Sequence, residues 1–295
     1  MGAIEETKEL LSENQYRIKL HDLVATQVRE VLSLTAEDQF PVQGSWSDKE
    51  FIERLNKYEK AISDLCGIQA LLSYWGTKAN RETLALPVKQ ICCRLKPVSG
   101  VTIWIGLRWY PALLLLYFGG IAAVAAGKYD NLRTLFQANI PNPERSYEGM
   151  SAIRRISDAL EDIGDVFKKI PGHERHYTPR SEYLFKLLQP TMDSLFFMGI
   201  EYESHFDRFE VLLALEHAEQ YSREQYGRPW GPIGRFGWKS RRGAGSNPLN
   251  QVIDEAEAQG DSWPPTVARL FNGSTKRFKE IASEYSQQIS RLQWY

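Results

Sequence analysis

Cysteine is scarce in this sequence, and the few present do not pair off. There are three, Cys66, Cys92 and Cys93. An odd count with two adjacent residues gives no disulfide framework. A reducing compartment follows, and a cytoplasmic location is expected. Neither sign of charge is in excess: 36 basic residues face 37 acidic ones, for a net charge of −1. Such a chain has no global field to draw in nucleic acid or an anionic membrane, so any basic function must be local. The first residues carry Glu5, Glu6 and Glu9 and no apolar run, so no secretory signal is expected. No Walker loop, Gly-x-Ser-x-Gly elbow or zincin helix occurs. No stretch alternates with the period of two that marks a half-buried strand.

Helical periodicity is abundant. Leu20, Val24, Val28 and Val31 predict a helix over 16–34. Ser47 with Glu50 three residues on reads as a capping box, with Trp46 and Phe51 at the staple positions. Phe51, Leu55, Tyr58, Ile62, Leu65 and Leu72 continue that helix towards Gly76. A third helix is expected over 81–95, bent at Pro87. The run 98–107 reads either as a lone strand or as the first turn of the next helix.

The segment 109–127, WYPALLLLYFGGIAAVAAG, holds no charged residue and is long enough for a membrane span. A helix buried on all sides in a core has the same composition. Pro111, the Gly119–Gly120 pair and a turn at 127–130 into a further helix favour the buried α-hairpin.

The two prolines of 139–145 predict a loop and a division into halves, 1–140 and 146–295. Beyond it, Met150, Ile153, Ile156, Leu160, Ile163 and Phe167 predict an amphipathic helix. Further helices are expected over 182–188, 203–221, 250–258 and 275–292. The fold class expected is all-α, with helical hairpins in a multi-helix bundle or repeat-like array.

Candidate chemistry is thin. His173 and His176 lie three apart in a loop, and Glu201 and His205 four apart, but neither pair reaches the three or four ligands a metal needs. No metal and no cofactor are expected. Cys92 and Cys93 stand beside Arg94 and Lys96, where a cation can lower a thiol pKa, yet no partner base is supplied. Asp207, Glu210, Glu216 and Glu219 share one helix. Paired acids can relay protons, but a solvated helix face is the expected reading.

The sharpest local feature is 227–245, GRPWGPIGRFGWKSRRGAG. It combines six glycines with five basic residues, Arg228, Arg235, Lys239, Arg241 and Arg242, and no acid. Arginine pairs bidentately with phosphate, and an aromatic such as Trp230 or Trp238 offers a stacking face. These seven residues are the candidate phosphate- or nucleic-acid-binding set. The competing expectation is an ordered surface loop whose tryptophans plug into the helical body and whose arginines meet acidic helix faces. No catalytic residue is assigned.

The stretches RWYPALLLLYFGGIAAVAAGKYDNL, HFDRFEVLLALEHA and GPIGRFGWKSR, spread over 95–242, resemble a helical module of bacterial phage-defence proteins. That module is often fused behind an enzymatic or nucleotide-binding domain. The resemblance covers about half the chain, carries no catalytic motif and transfers no functional residue. This chain departs from the pattern in having no recognisable effector domain. What the resemblance implies is a non-enzymatic interaction or sensing module in antiviral defence, with a protein partner expected and nucleic acid as the alternative. Two further readings stay open: an enzyme acting on nucleic acid or nucleotide through the 227–245 loop, and a membrane-acting effector through 109–127.

Overall fold

A computed structural model of the chain describes residues 2–142, 145–224, 229–240 and 247–292. The described residues form two compact units, Met1–Pro171 and Gly172–Tyr295. Both are helical, with fourteen α-helices and a single two-stranded sheet among the described residues. The all-α expectation holds.

The first unit contains α1 (Ala3–Leu11), α2 (Arg17–Leu34), α3 (Asp48–Trp75), α4 (Arg81–Arg94), α5 (Thr102–Leu107), α6 (Tyr110–Ala125) and α7 (Tyr129–Phe136). A hairpin of β1 (Asn139–Asn142) and β2 (Arg145–Ser151) leads into α8 (Ala152–Ala159) and the 3-10 turns of Glu161–Lys169. At the start of α3 the Ser47 hydroxyl accepts from the Glu50 amide at 3.2 Å. The second half of the expected box does not form, because the Glu50 carboxylate turns one helical turn forward and pairs with Arg54 at 2.6 Å. The Arg54 guanidinium lies 4.0 Å from the centroid of the Trp104 ring. At the staple positions, Trp46 is 38% exposed and Phe51 is fully buried. With one capping bond in place, Ser47→Ala should cost about 1 kcal/mol. Denaturant melts decide it; a midpoint equal to the parent's would show that the cap contributes nothing.

Helix α6 is the centre of this unit. Every residue from Tyr110 to Val124 is buried, so its uniformly apolar composition matches an environment apolar on all sides. The stretch Thr102–Ala125 is long and apolar enough to cross a membrane, and 94% of an apolar 18-residue segment of it is buried within the fold. Gly119 lets α6 pack closely on both α7 and α3: a Cβ there would lie 2.7 Å from Leu135 Cδ1 and 2.9 Å from Ser73 Oγ. Gly127 takes a left-handed φ of 64° and turns the chain into α7. Asn131 on α7 then caps the end of α3, its side-chain amide donating to the Ser73 and Gly76 carbonyls at 3.0 Å each. The α-hairpin is thus tied to a third helix.

Of the two readings of 98–107, the helical one holds: Thr102–Leu107 is helical. Other expectations change. Residues 139–145 are not a simple loop between halves, since β1 pairs antiparallel with β2, Ile140 facing Met150. The hairpin packs on α4 and leads directly into α8, so 139–151 belongs inside the first unit. The division falls later, at Pro171–Gly172. A strand as short as Asn139–Asn142, with Pro141 in its middle, offers too few side chains for period two to be visible. The amphipathic helix over 150–167 also breaks at Leu160 into 3-10 turns, yet Ile153, Ile156, Leu160, Ile163 and Phe167 all stay buried. Spacing of three and four residues serves both helix types nearly alike.

The second unit contains α9 (Pro179–Phe196), α10 (Tyr202–Glu224), α11 (Phe236–Lys239), α12 (Pro248–Gln259), α13 (Pro264–Val267) and α14 (Thr275–Arg291). Helix α9 runs longer than expected and passes through Pro190.

Candidate interaction site

Helix α10 organises the second unit, and its polar residues are the unexpected part. Phe206, Phe209, Val211, Leu212, Leu213 and Leu215 are buried, and so are Asp207, Glu210, Glu216, His217 and Glu219. The expectation of a solvated acidic face is therefore overturned. A buried carboxylate is tolerated only when its oxygens are satisfied, and here they hold other segments of the unit in place. Glu216 accepts from the Phe271 amide at 2.7 Å, fixing a turn in which Phe271 and Asn272 have left-handed φ of 51° and 60°. Glu219 accepts from Arg277 Nε at the start of α14 at 3.3 Å.

The third segment held by α10 is the strap 229–240, the described part of the Gly/Arg/Trp-rich stretch. Glu210 Oε1 accepts from the Ser181 hydroxyl at 2.7 Å, and Oε2 accepts from the Arg235 amide at 3.0 Å. His217 Nδ1 lies 2.9 Å from the Trp230 carbonyl and donates to it, which places the proton on Nδ1 in this pairing. From α14, the Tyr285 hydroxyl donates to the Gly231 and Pro232 carbonyls at 3.2 and 3.0 Å, and Gln288 to the Pro229 carbonyl at 2.7 Å. Two glycines let the strap lie this close. A Cβ on Gly231 would sit 2.3 Å from the Ala214 carbonyl oxygen, and one on Gly234 would sit 2.0 Å from Glu210 Oε2.

The strap's described cations point inward. Arg235 is 6% exposed. Its Nη2 donates to Glu203 at 3.0 Å, and its Nε lies 3.6 Å from Glu182 and 3.7 Å from Asp207. Its guanidinium stacks 3.6 Å from the centre of the Phe185 ring. Lys239 pairs with Glu203 and Asp207. The Trp238 indole N–H donates to Glu182 at 2.9 Å. Lys239 holds the Glu203 carboxyl below the ordinary glutamate value. Burial pushes Asp207 above the ordinary aspartate value, against the opposing pull of Lys239 and Arg235.

Of the seven candidate residues, Trp230, Arg235, Trp238 and Lys239 are thus brought together on α9 and α10, with Arg235 and Lys239 engaged by carboxylates. Arg228, Arg241 and Arg242 lie outside the described residues. The acids that receive the strap, Glu182 and Glu203 above all, are not marked out by the sequence. The visible signal is an acid-bearing segment, EVLLALEHAEQ over 210–220, embedded in residues apolar on every helical face.

The other candidates stay simple. The His173 and His176 rings lie 5.1 Å apart, and among the described residues no group of three or more His, Cys, Asp or Glu is placed to hold a metal. His205 Nε2 and Glu201 form a pair at 3.9 Å. Burial pushes the Cys92 and Cys93 thiols up, and for Cys93 it outweighs the nearby Lys89. Neither thiol is activated by its surroundings.

No family model matches the chain, and no solved structure matches it. A stretch of 103 residues is 31% identical to the arginine–tRNA ligase of Caldanaerobacter subterraneus subsp. tengcongensis. The match covers 32% of this chain and 18% of the ligase, so the chain spans less than a fifth of that protein's length.

Proposed function

We propose that this chain is a partner-binding helical module of a bacterial defence system, with a protein as its partner. One observation supports the reading above the others: Arg235 and Lys239, the described cations of the strap, are spent on carboxylates of the same unit. A phosphate would have to displace those carboxylates to reach them. The strap then serves to rigidify the second unit, and a preorganised surface binds a partner at a smaller entropic cost than a loose one. The resemblance of 95–242 to a module of phage-defence proteins supports the setting. Affinity capture of the tagged full chain from a bacterial host, with and without nuclease, tests the proposal. A stoichiometric protein that survives nuclease treatment is the expected result; recovery of nucleic acid alone overturns it.

A second reading has a specific observation behind it. The partial likeness to a tRNA ligase favours RNA as a ligand, with Arg241 and Arg242 supplying charge to it. On this reading Arg241→Ala with Arg242→Ala leaves stability within about 0.5 kcal/mol, since charges that face a ligand rather than the fold contribute little. It should also lower the slope of log affinity against log salt by roughly 0.7–0.9 for each phosphate no longer neutralised. Fluorescence anisotropy with labelled tRNA at several salt concentrations reads both. Absence of binding by the parent at low salt removes this reading.

A further inference from the structure

The second unit carries an apolar knob at the corner between α9 and α10. Phe197 is 90% exposed and Ile200 is 98% exposed, while Met198 between them is buried and anchors the turn. Phe197 closes α9 in the left-handed conformation, φ 55° and ψ 41°. Glycine or asparagine ordinarily occupies that position, because a bulky L-residue is strained there. Gly199, two residues on, also has a left-handed φ of 51°. Its amide donates to Asp193 Oδ1 at 3.0 Å, which clamps the turn onto the last coil of α9. The corner therefore holds a large aromatic side chain in water, on a strained backbone, within a fixed turn. Strain of this kind persists where a surface is shaped for use.

The charge around the knob specifies what it fits. Residues 191–207 contain no lysine or arginine, and of their four acids Glu203 and Asp207 are paired with Arg235 and Lys239, which leaves Asp193 and Glu201 to charge the rim. Glu201 is 76% exposed, with His205 beside it at 3.9 Å, and Glu203, though paired with the strap, is still 51% exposed. An anionic lipid surface or a nucleic-acid backbone would be repelled by this rim. A second copy of the same corner would set acid against acid. Building on the protein-binding reading above, we infer that Phe197 and Ile200 insert into an apolar pocket of a protein partner whose rim carries lysine or arginine. Aromatic anchors in a desolvated pocket with complementary charge at the edge are the arrangement that concentrates binding energy at protein interfaces.

Phage-displayed peptide selection on the full chain, counter-selected on Phe197→Gly, tests this. Phe197→Gly relieves the left-handed strain, so its melting temperature should equal or exceed the parent's, and a loss of binding cannot be assigned to unfolding. The expected result is enrichment of peptides that combine apolar and basic residues. As synthetic peptides they should bind the parent at least tenfold more tightly than Phe197→Gly or Ile200→Ser, with Phe197→Tyr retaining most of the affinity. Selected peptides that bind Phe197→Gly equally well, or that are acidic, overturn the inference while leaving the protein-binding reading standing on the capture experiment. Failure to enrich any peptide overturns it as well. So does Phe197-dependent flotation with phosphatidylcholine vesicles, with or without phosphatidylserine, which assigns the knob to a lipid surface.

Discussion

Leu115→Arg unfolds the first unit. Leu115 is fully buried in the middle of α6, and its flanking residues on that helix, Leu114 and Leu116, are buried and apolar too. With α6 buried on every side, a guanidinium cannot snorkel out, and an unpaired charge in such a site is not compensated. Leu115→Ala separates the effect of packing from that of charge and should cost about 2–5 kcal/mol. The arginine adds desolvation to that loss, for a total of roughly 5 kcal/mol or more, comparable to the whole stability of a typical domain. Circular dichroism melts and limited proteolysis read the outcome. The first unit's helices should become protease-sensitive in Leu115→Arg and remain resistant in the parent. A variant as resistant as the parent would show that α6 is not packed as described. Partition of the parent into vesicles, blocked by the same substitution, would instead assign 109–127 to a membrane.

That helix illustrates how much of the fold the sequence carries. Apolar side chains at helical spacing appear in the structure as buried stripes: Phe51, Leu55, Tyr58, Ile62 and Leu65 are each at most 2% exposed. Turn chemistry is equally legible, with Gly127 left-handed between α6 and α7 and Ser47 capping α3. The β-hairpin is not, because pairing Ile140 with Met150 is a property of two segments meeting, and the shorter strand has no pattern of its own. The same limit governs the site. The sequence shows that the strap is basic and that α10 is acidic, but not which side chains face inward. Glu182 meets Arg235 and Trp238 only after α9 and α11 have packed. The inward carboxylates of α10 are legible only as an anomaly, charges in a run otherwise apolar on every face. Such a break in the local pattern marks a place where tertiary structure makes use of a side chain.

Because the strap's close approach to α10 depends on Gly231 having no side chain, Gly231→Ala should have a large effect. The added methyl would lie 2.3 Å from the Ala214 carbonyl oxygen and 3.1 Å from its carbon. Both atoms belong to the backbone of α10, within a helix whose ladder of hydrogen bonds does not yield, so the strap itself must move. Shifting it away disturbs the bonds from Tyr285, Gln288 and His217 to the strap carbonyls. It also loosens Arg235 from Glu203 and Lys239 from Asp207, separating charges that are paired within the fold. Breaking one side of a buried charge cluster costs about 3–5 kcal/mol, and Gly231→Ala should approach that range. Gly260→Ala is the control: it burdens a residue at φ 55° and ψ −134°, a backbone region reached almost only by glycine, but its Cβ meets nothing within 4 Å, so only backbone strain of about 1–3 kcal/mol is added. Tryptophan fluorescence from Trp230 and Trp238, followed through denaturant, should show the strap releasing early in Gly231→Ala and with the rest of the unit in Gly260→Ala. Combining Gly231→Ala with Arg235→Ala supplies the sharper criterion. If both act by releasing one strap, the double variant is destabilised far less than the sum of the singles. Strict additivity, or a Gly231→Ala midpoint equal to the parent's, would mean that the strap does not lie against α10.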